Sequence, residues 1–169
     1  MNPAWAPFEL APPGAHADAP RSIRTLEGIG DRLRAAAFAE VQARDAFLWA
    51  AERFEDADPR LRQAWRKLAA SEQQHLDWLL ARMQELGIPV TGRKVSDFLW
   101  QSLMSCQNAR DFANYMAGAE DRGRKAGERF HQSLCQTDPQ TAEIFRKIAE
   151  EELGHIALAS RFFPSTTAL

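Results

Sequence analysis

The sequence predicts an all-α protein: a four-helix bundle in which two helical hairpins are joined by a long crossover containing a short helix. Four long stretches carry apolar residues at three- and four-residue intervals, and no stretch alternates apolar with polar as a half-buried strand does. Asp58-Pro59 and Asp138-Pro139 each supply a capping carboxylate followed by a ring suited to the first helical position. The chain also repeats itself at a constant offset of 80 residues, so that Glu40 recurs as Glu120.

Residues 1–27 are expected to form a proline-rich arm. Pro3, Pro7, Pro12, Pro13 and Pro20 lack backbone donors and cannot propagate a helix. Trp5 and Phe8 are the side chains suited to pin this arm to the domain. The bundle is expected over residues 28–164, with residues 165–169 as a tail. Its first helix is predicted from Asp31 to Glu55, on the stripe Leu33, Ala36, Ala37, Phe47, Ala50 and Phe54. The second opens at Asp58-Pro59, follows Leu61, Trp65, Leu68, Leu79 and Leu86, and stops at Gly87 and Pro89. A connection over 87–107 holds a short helix within Val95 to Leu103. The third long helix is predicted from Ala109 to Gln136 and carries Gly118, Gly123 and Gly127. Glycine weakens a helix by about 1 kcal/mol relative to alanine, so three of them point to close packing or to space kept open. The fourth runs from Asp138-Pro139 to Phe163 and ends at Pro164.

Composition narrows the function classes. At 169 residues, 45% apolar and 26% charged, the chain is long enough and apolar enough to bury one sizeable core. A net charge of −2 gives no reason to expect nucleic acid or an anionic membrane as partner. No signal peptide or membrane-spanning stretch is visible, and Cys106 and Cys135 form no CxxC pair, so the expected location is cytoplasmic. Both cysteines are expected to be buried small hydrophobes. Arg60, Arg62, Arg66 and Lys67 make a local basic patch, read as a solvated helix face.

The chemistry lies in two Glu-x-x-His pairs, Glu72 with His75 and Glu152 with His155. Positions three apart share a helix face, so each pair can converge on one metal ion. Both pairs interrupt stripes that should face the core: Leu68 precedes Glu72, and Ile148 precedes Glu152. Each is preceded, 32 residues earlier, by a glutamate on the neighbouring helix's stripe, Glu40 for Glu72 and Glu120 for Glu152. Buried carboxylates without partners are very costly. Four carboxylates carry −4 and two divalent cations +4, so a metal pair makes the set compatible. One Glu-x-x-His is a weak signal; two copies, each with a core-facing glutamate at the same distance, are a strong one.

This order of ligands resembles the ferritin-like di-iron carboxylate superfamily, which includes rubrerythrins, bacterioferritins and di-iron oxygenases. The resemblance covers roughly residues 31–163. Around Glu120 to Gly123 and Glu151 to Leu158 it is strongest to an uncharacterised bacterial branch and more distant to the di-iron tRNA hydroxylases. It implies a metal site of Glu40, Glu72, His75, Glu120, Glu152 and His155. Glu40 and Glu120 would be terminal ligands, Glu72 and Glu152 would bridge, and each histidine would bind one ion. It implies two iron ions; manganese or a mixed manganese–iron pair suits the same oxygen and nitrogen donors.

The leading expectation is an oxygen-activating oxidase or hydroxylase taking dioxygen or peroxide, with the three glycines leaving a substrate channel. The alternatives are a non-catalytic iron-handling protein, for which a homodimer or larger oligomer is compatible, and a tRNA-modifying hydroxylase. No CxxC module follows Phe163, so an external reductant is expected. Arg44 and Arg124 are read evenly as orienters of the ligand carboxylates or as surface contacts. Trp49, Trp65, Trp100 and Tyr115 are read as core before electron relays, and His131 as a satisfied histidine rather than a seventh ligand.

Overall fold

A computed structural model describes residues 4–164. It contains four long helices, α1 (Leu26–Arg53), α2 (Pro59–Glu85), α4 (Ala109–Leu134) and α5 (Pro139–Phe162), and one short helix, α3 (Phe98–Met104). Helices α1 and α2 pack as one hairpin and α4 and α5 as the other, with α3 in the crossover. Among the described residues the only strand-like pairing is an isolated bridge between Leu10 and Val95.

The predicted caps operate. The Asp58 side chain accepts from the Arg60 amide and Asp138 from the Thr141 amide, and in both helices proline follows at the first position. Asn108 caps α4 by accepting from the Asp111 amide. Helix α1 begins five residues earlier than the expected Asp31, capped by Thr25, so Gly28 and Gly30 lie within it. These glycines do not punctuate the chain; they let neighbours approach. A Cβ on Gly28 would stand 1.8 Å from the Ser22 carbonyl oxygen, and one on Gly30 would stand 2.8 Å from the Ile88 side chain. Gly127 of α4 allows a similar approach, its missing Cβ lying 3.3 Å from the Phe145 carbonyl oxygen of α5.

The arm is pinned as its aromatics suggested. The Trp5 indole donates to Asp45 Oδ2 at 2.7 Å, and its ring stands edge-on to Phe38 and Trp100. Phe8 packs on Phe38. Backbone bonds from Ala11 to Val95 and from Val95 to Glu9 tie the arm to the crossover. Residues 165–169 lie outside the described residues.

At the base of the arm, Asp31 is buried and accepts from Arg21 Nη2 at 2.7 Å, with Arg34 and Arg93 also within 3.4 Å. Chiefly through the Arg21 hydrogen bonds, its carboxyl is held well below the usual carboxylate range. A folded-state pKa below the unfolded one stabilises the fold above the unfolded value, near 4, and the contribution fades as pH falls toward the folded value. Asp31→Asn is therefore expected to lower stability by about 2 kcal/mol at pH 7, roughly 4–8 °C in Tm. Thermal melts at pH 7 and pH 3 check this: the gap between wild type and variant should narrow at the lower pH, and a gap that stayed constant would count against the ion pair.

Candidate metal centre

The four long helices bring all six predicted side chains into one interior layer. Glu40 comes from α1, Glu72 and His75 from α2, Glu120 from α4, and Glu152 and His155 from α5. All six are between 0 and 9% exposed. Two groups of donors form, Glu40, Glu72, His75 and Glu152 in one, and Glu72, Glu120, Glu152 and His155 in the other. Within each, the candidate atoms lie within 4.8 Å of one another. Glu72 and Glu152 belong to both groups.

Each histidine turns Nδ1 into the layer. His75 Nδ1 is 3.4 Å from Glu72, 3.5 Å from Glu152 and 3.7 Å from Glu40. His155 Nδ1 is 2.8 Å from Glu72, 3.4 Å from Glu152 and 3.9 Å from Glu120. The two rings stack with centroids 5.8 Å apart. Among the described residues, Glu72 Oε1, His75 Nδ1, Glu120 Oε1, Glu152 Oε2 and His155 Nδ1 are buried yet make no hydrogen bond. Orphaned donors and acceptors are rare in native interiors and call for an ion or water as partner. The residues fit a cation site.

The electrostatics agree. Burial, with Glu72 and Glu152 nearby, pushes the Glu40 carboxyl well above the usual range, and burial beside Glu152 and Glu72 does the same to Glu120. Burial also opposes charge on Glu72, but the close imidazoles of His155 and His75 win and hold it down to about 2. For His155, burial is outweighed by Glu152 and Glu72, which raise it to about 10; His75 is raised further, by Glu152, Glu40 and Glu72. Protons here stand where cations would. Four carboxylates compete for two imidazoles, and strongly perturbed groups gathered in one place mark a functional site.

One participant is not evident from the sequence. Glu151 of α5 reaches across to His75, its Oε2 lying 2.9 Å from Nε2. A carboxylate on the outer nitrogen fixes the tautomer and orients the ring. At the position 80 residues earlier stands Ser71, so the α1–α2 hairpin offers no matching carboxylate to His155. The adjacency of two glutamates at 151 and 152 was the available signal. It was hidden because Glu151 faces a different helix from its own.

The other candidates fall outside the layer. Arg44 bonds Asp45 and Gln73, and Arg124 bonds Asp121 and Glu128, so neither orients a ligand carboxylate. His131 Nδ1 lies 3.1 Å from the Ala142 carbonyl oxygen, satisfied as expected. Cys106 is half-buried and Cys135 exposed, correcting the expectation that both are buried; Cys135 falls at the C-terminal cap of α4, past the last core turn. In the basic patch, Arg60 pairs with its own cap Asp58 and Arg62 donates to the Ala51 carbonyl. Trp65 is fully buried against Phe112 and Phe54.

Space beside the layer is uneven. A cavity of about 500 Å³ between α1, α4 and α5 reaches Glu40, Glu72, Glu120 and Glu152, with Gly123 and Gly127 in its wall. On the side of Phe47, Trp65 and Leu158, only about 10 Å³ remains.

This bundle has the ferritin-like fold, and the carboxylates and histidines meeting between its helices form buried clusters that could hold metal ions. The chain belongs to the family described as protein of unknown function (DUF455), whose model matches residues 6–168. Its fold is similar to that of the bacterioferritin-related protein of Bacteroides fragilis, a dodecameric thioferritin. The match has a TM-score of 0.70 and 17% identity, and covers 82% of this chain and 86% of that one. No curated protein matches. Among the described residues, no helix is long and apolar enough to cross a membrane.

Proposed function

We propose that the chain binds two iron ions through Glu40, Glu72, His75, Glu120, Glu152 and His155, and that it is an oxygen-activating oxidase or hydroxylase. Two ferrous ions held there would supply the electrons that reduce dioxygen or peroxide. Glu72 and Glu152, present in both donor groups, would span the pair; Glu40 with His75 and Glu120 with His155 would each complete one half. Glu151 holds the outer nitrogen of His75, leaving Nδ1 as the donor. The aromatic packing on the closed side excludes water from that face of the layer.

The observation that carries a catalytic reading is the cavity of about 500 Å³ that reaches the ligand carboxylates. Its size lies within the range of small-molecule sites, and the entry of iron alone calls for far less space. The test is to load the purified chain with ferrous iron without oxygen and then admit air. The expected result is two irons per chain and a new absorption band of an oxidised di-iron centre; a loaded sample that stays spectrally silent in air would defeat the catalytic reading.

A non-catalytic iron-handling role is the second reading, favoured by the likeness to a thioferritin. Iron well above two per chain, together with a cage-sized particle on gel filtration, would decide for it.

Glu151→Ala is expected to weaken iron affinity by roughly 10- to 100-fold, since removing the partner of a ligating histidine costs about that much. Competition against a graded iron chelator reads this directly. Affinity equal to wild type would show that the Glu151 contact does not support the site.

A further inference from the structure

We infer that the cavity beside the carboxylate layer binds an unbranched alkyl chain carrying an anionic head group, with the head at the outer mouth and the tail directed at the layer. This deepens the proposed function by naming a substrate class, and rests on it for chemistry though not for binding.

The shape comes first. Lining residues run along α1 from Asp31 to Ala43, about 18 Å of helix. The cavity is thus elongated along the bundle axis. Its walls are small: Ala36, Ala39 and Ala43 of α1 on one side, Ala119, Gly123 and Gly127 of α4 on the other. Its larger lining side chains are apolar too, among them Met116, Phe130, Phe145 and Ile148. Nothing along this stretch offers a hydroxyl or amide to orient a polar ligand. Bulk on either helix would close the slot, and a narrow apolar slot suits a methylene chain.

Polarity differs sharply between the ends. At the inner end stand buried carboxylates, with Glu72 Oε1, Glu120 Oε1 and Glu152 Oε2 lacking hydrogen bonds. At the outer end, Arg32, Arg34, Arg93 and Lys94 line the cavity beside two carboxylates, Asp18 and Asp31; the three arginines also donate to backbone carbonyls, while their charge remains. Asp31 is already held by Arg21, which adds a further cation nearby. Lys94 is exposed and, among the described residues, forms no hydrogen bond or ion pair. The mouth therefore carries net positive charge and the interior does not, so an anionic head is placed outside. From Arg32 to Glu40 is eight residues of α1, about 12 Å, a reach suited to a medium-length chain. The opposite side of the layer is packed, so the tail's far end is the part presented to the carboxylates.

Decanoate is the probe, with decyltrimethylammonium as the chain of opposite head charge. Titration calorimetry on the full chain, metal-free and loaded with ferrous iron under argon, reads binding without turnover. The expected result is micromolar decanoate affinity in both forms and at least tenfold weaker binding of the ammonium analogue. Lys94→Glu should weaken decanoate at least threefold. Gly123→Leu should weaken it more than tenfold; a Cβ there meets nothing within 4 Å, so the added side chain enters open space, and circular dichroism confirms the fold.

No decanoate binding, equal affinity for both head groups, or full affinity in Gly123→Leu would each overturn the inference. The two readings separate cleanly. Iron uptake without decanoate binding sinks the substrate class and leaves the di-iron function standing. Decanoate binding without iron uptake does the reverse.

Discussion

Tight iron binding is expected to vanish from Glu72→Ala and from His155→Ala, from two ions per chain to none retained through gel filtration. Glu72 belongs to both donor groups and is 1% exposed, so its loss strips an oxygen from each half at once. His155 is one of only two nitrogen donors, and its Nδ1 has no hydrogen bond among the described residues. The same site predicts an unusual sign in stability. Ligands that bind only the folded state stabilise it, by about 2.7 kcal/mol at a concentration 100 times Kd. Wild type should therefore melt well above its own metal-free form. Glu120→Gln, which keeps the shape and cannot ionise in a layer that resists its charge, should cost the metal-free protein nothing or raise its Tm. Metal analysis and paired melts with and without iron check both statements. Glu72→Ala and His155→Ala samples that kept two irons would be incompatible with the proposed ligands.

The second large effect concerns the aromatic core. Trp65→Ala should destabilise the fold by about 3–5 kcal/mol, the range for deleting a buried large aromatic. In a chain of this size that lowers Tm on the order of 10 °C. Trp65 is 1% exposed, its ring 5.3 Å from Phe112 and 6.3 Å from Phe54, with little room for neighbours to collapse inward. Trp65→Phe should recover most of the loss. Chemical denaturation of the three proteins gives the ordering. If the Phe variant is stable and its iron still oxidises at the wild-type rate, Trp65 acts through packing and not as an electron relay.

Much of this was legible because buried charge violates a pattern. Glu40, Glu72, Glu120 and Glu152 break apolar stripes that are otherwise regular, and the 80-residue repeat shows the breaks coming in corresponding places. A helical period specifies which face a residue occupies, and six residues on inward faces at matched heights converge. The bundle follows from the same periodicity.

What stayed hidden depends on contacts between segments distant in sequence. Glu151 looks like an ordinary solvated glutamate until α5 is laid beside α2. Gly28 and Gly30 look like helix breakers because the tight approach of Ser22 and Ile88 is a tertiary fact. The Asp45 carboxylate that holds Trp5 lies 40 residues away from it. The cavity mouth was unreadable for a similar reason. Arg93 and Lys94 belong to an irregular crossover, and no periodicity places such residues over the end of a helix pair.

The lone carboxylate behind His75 breaks the molecule's internal two-fold. Two ions in this centre would be chemical siblings and not twins. The one served by His75 would have the more electron-rich imidazole, because Glu151 draws on its outer proton, while Ser71 offers no such charge for the other half. A chelator should accordingly empty the site in two stages, releasing the His155 ion first and leaving a singly occupied, asymmetric species.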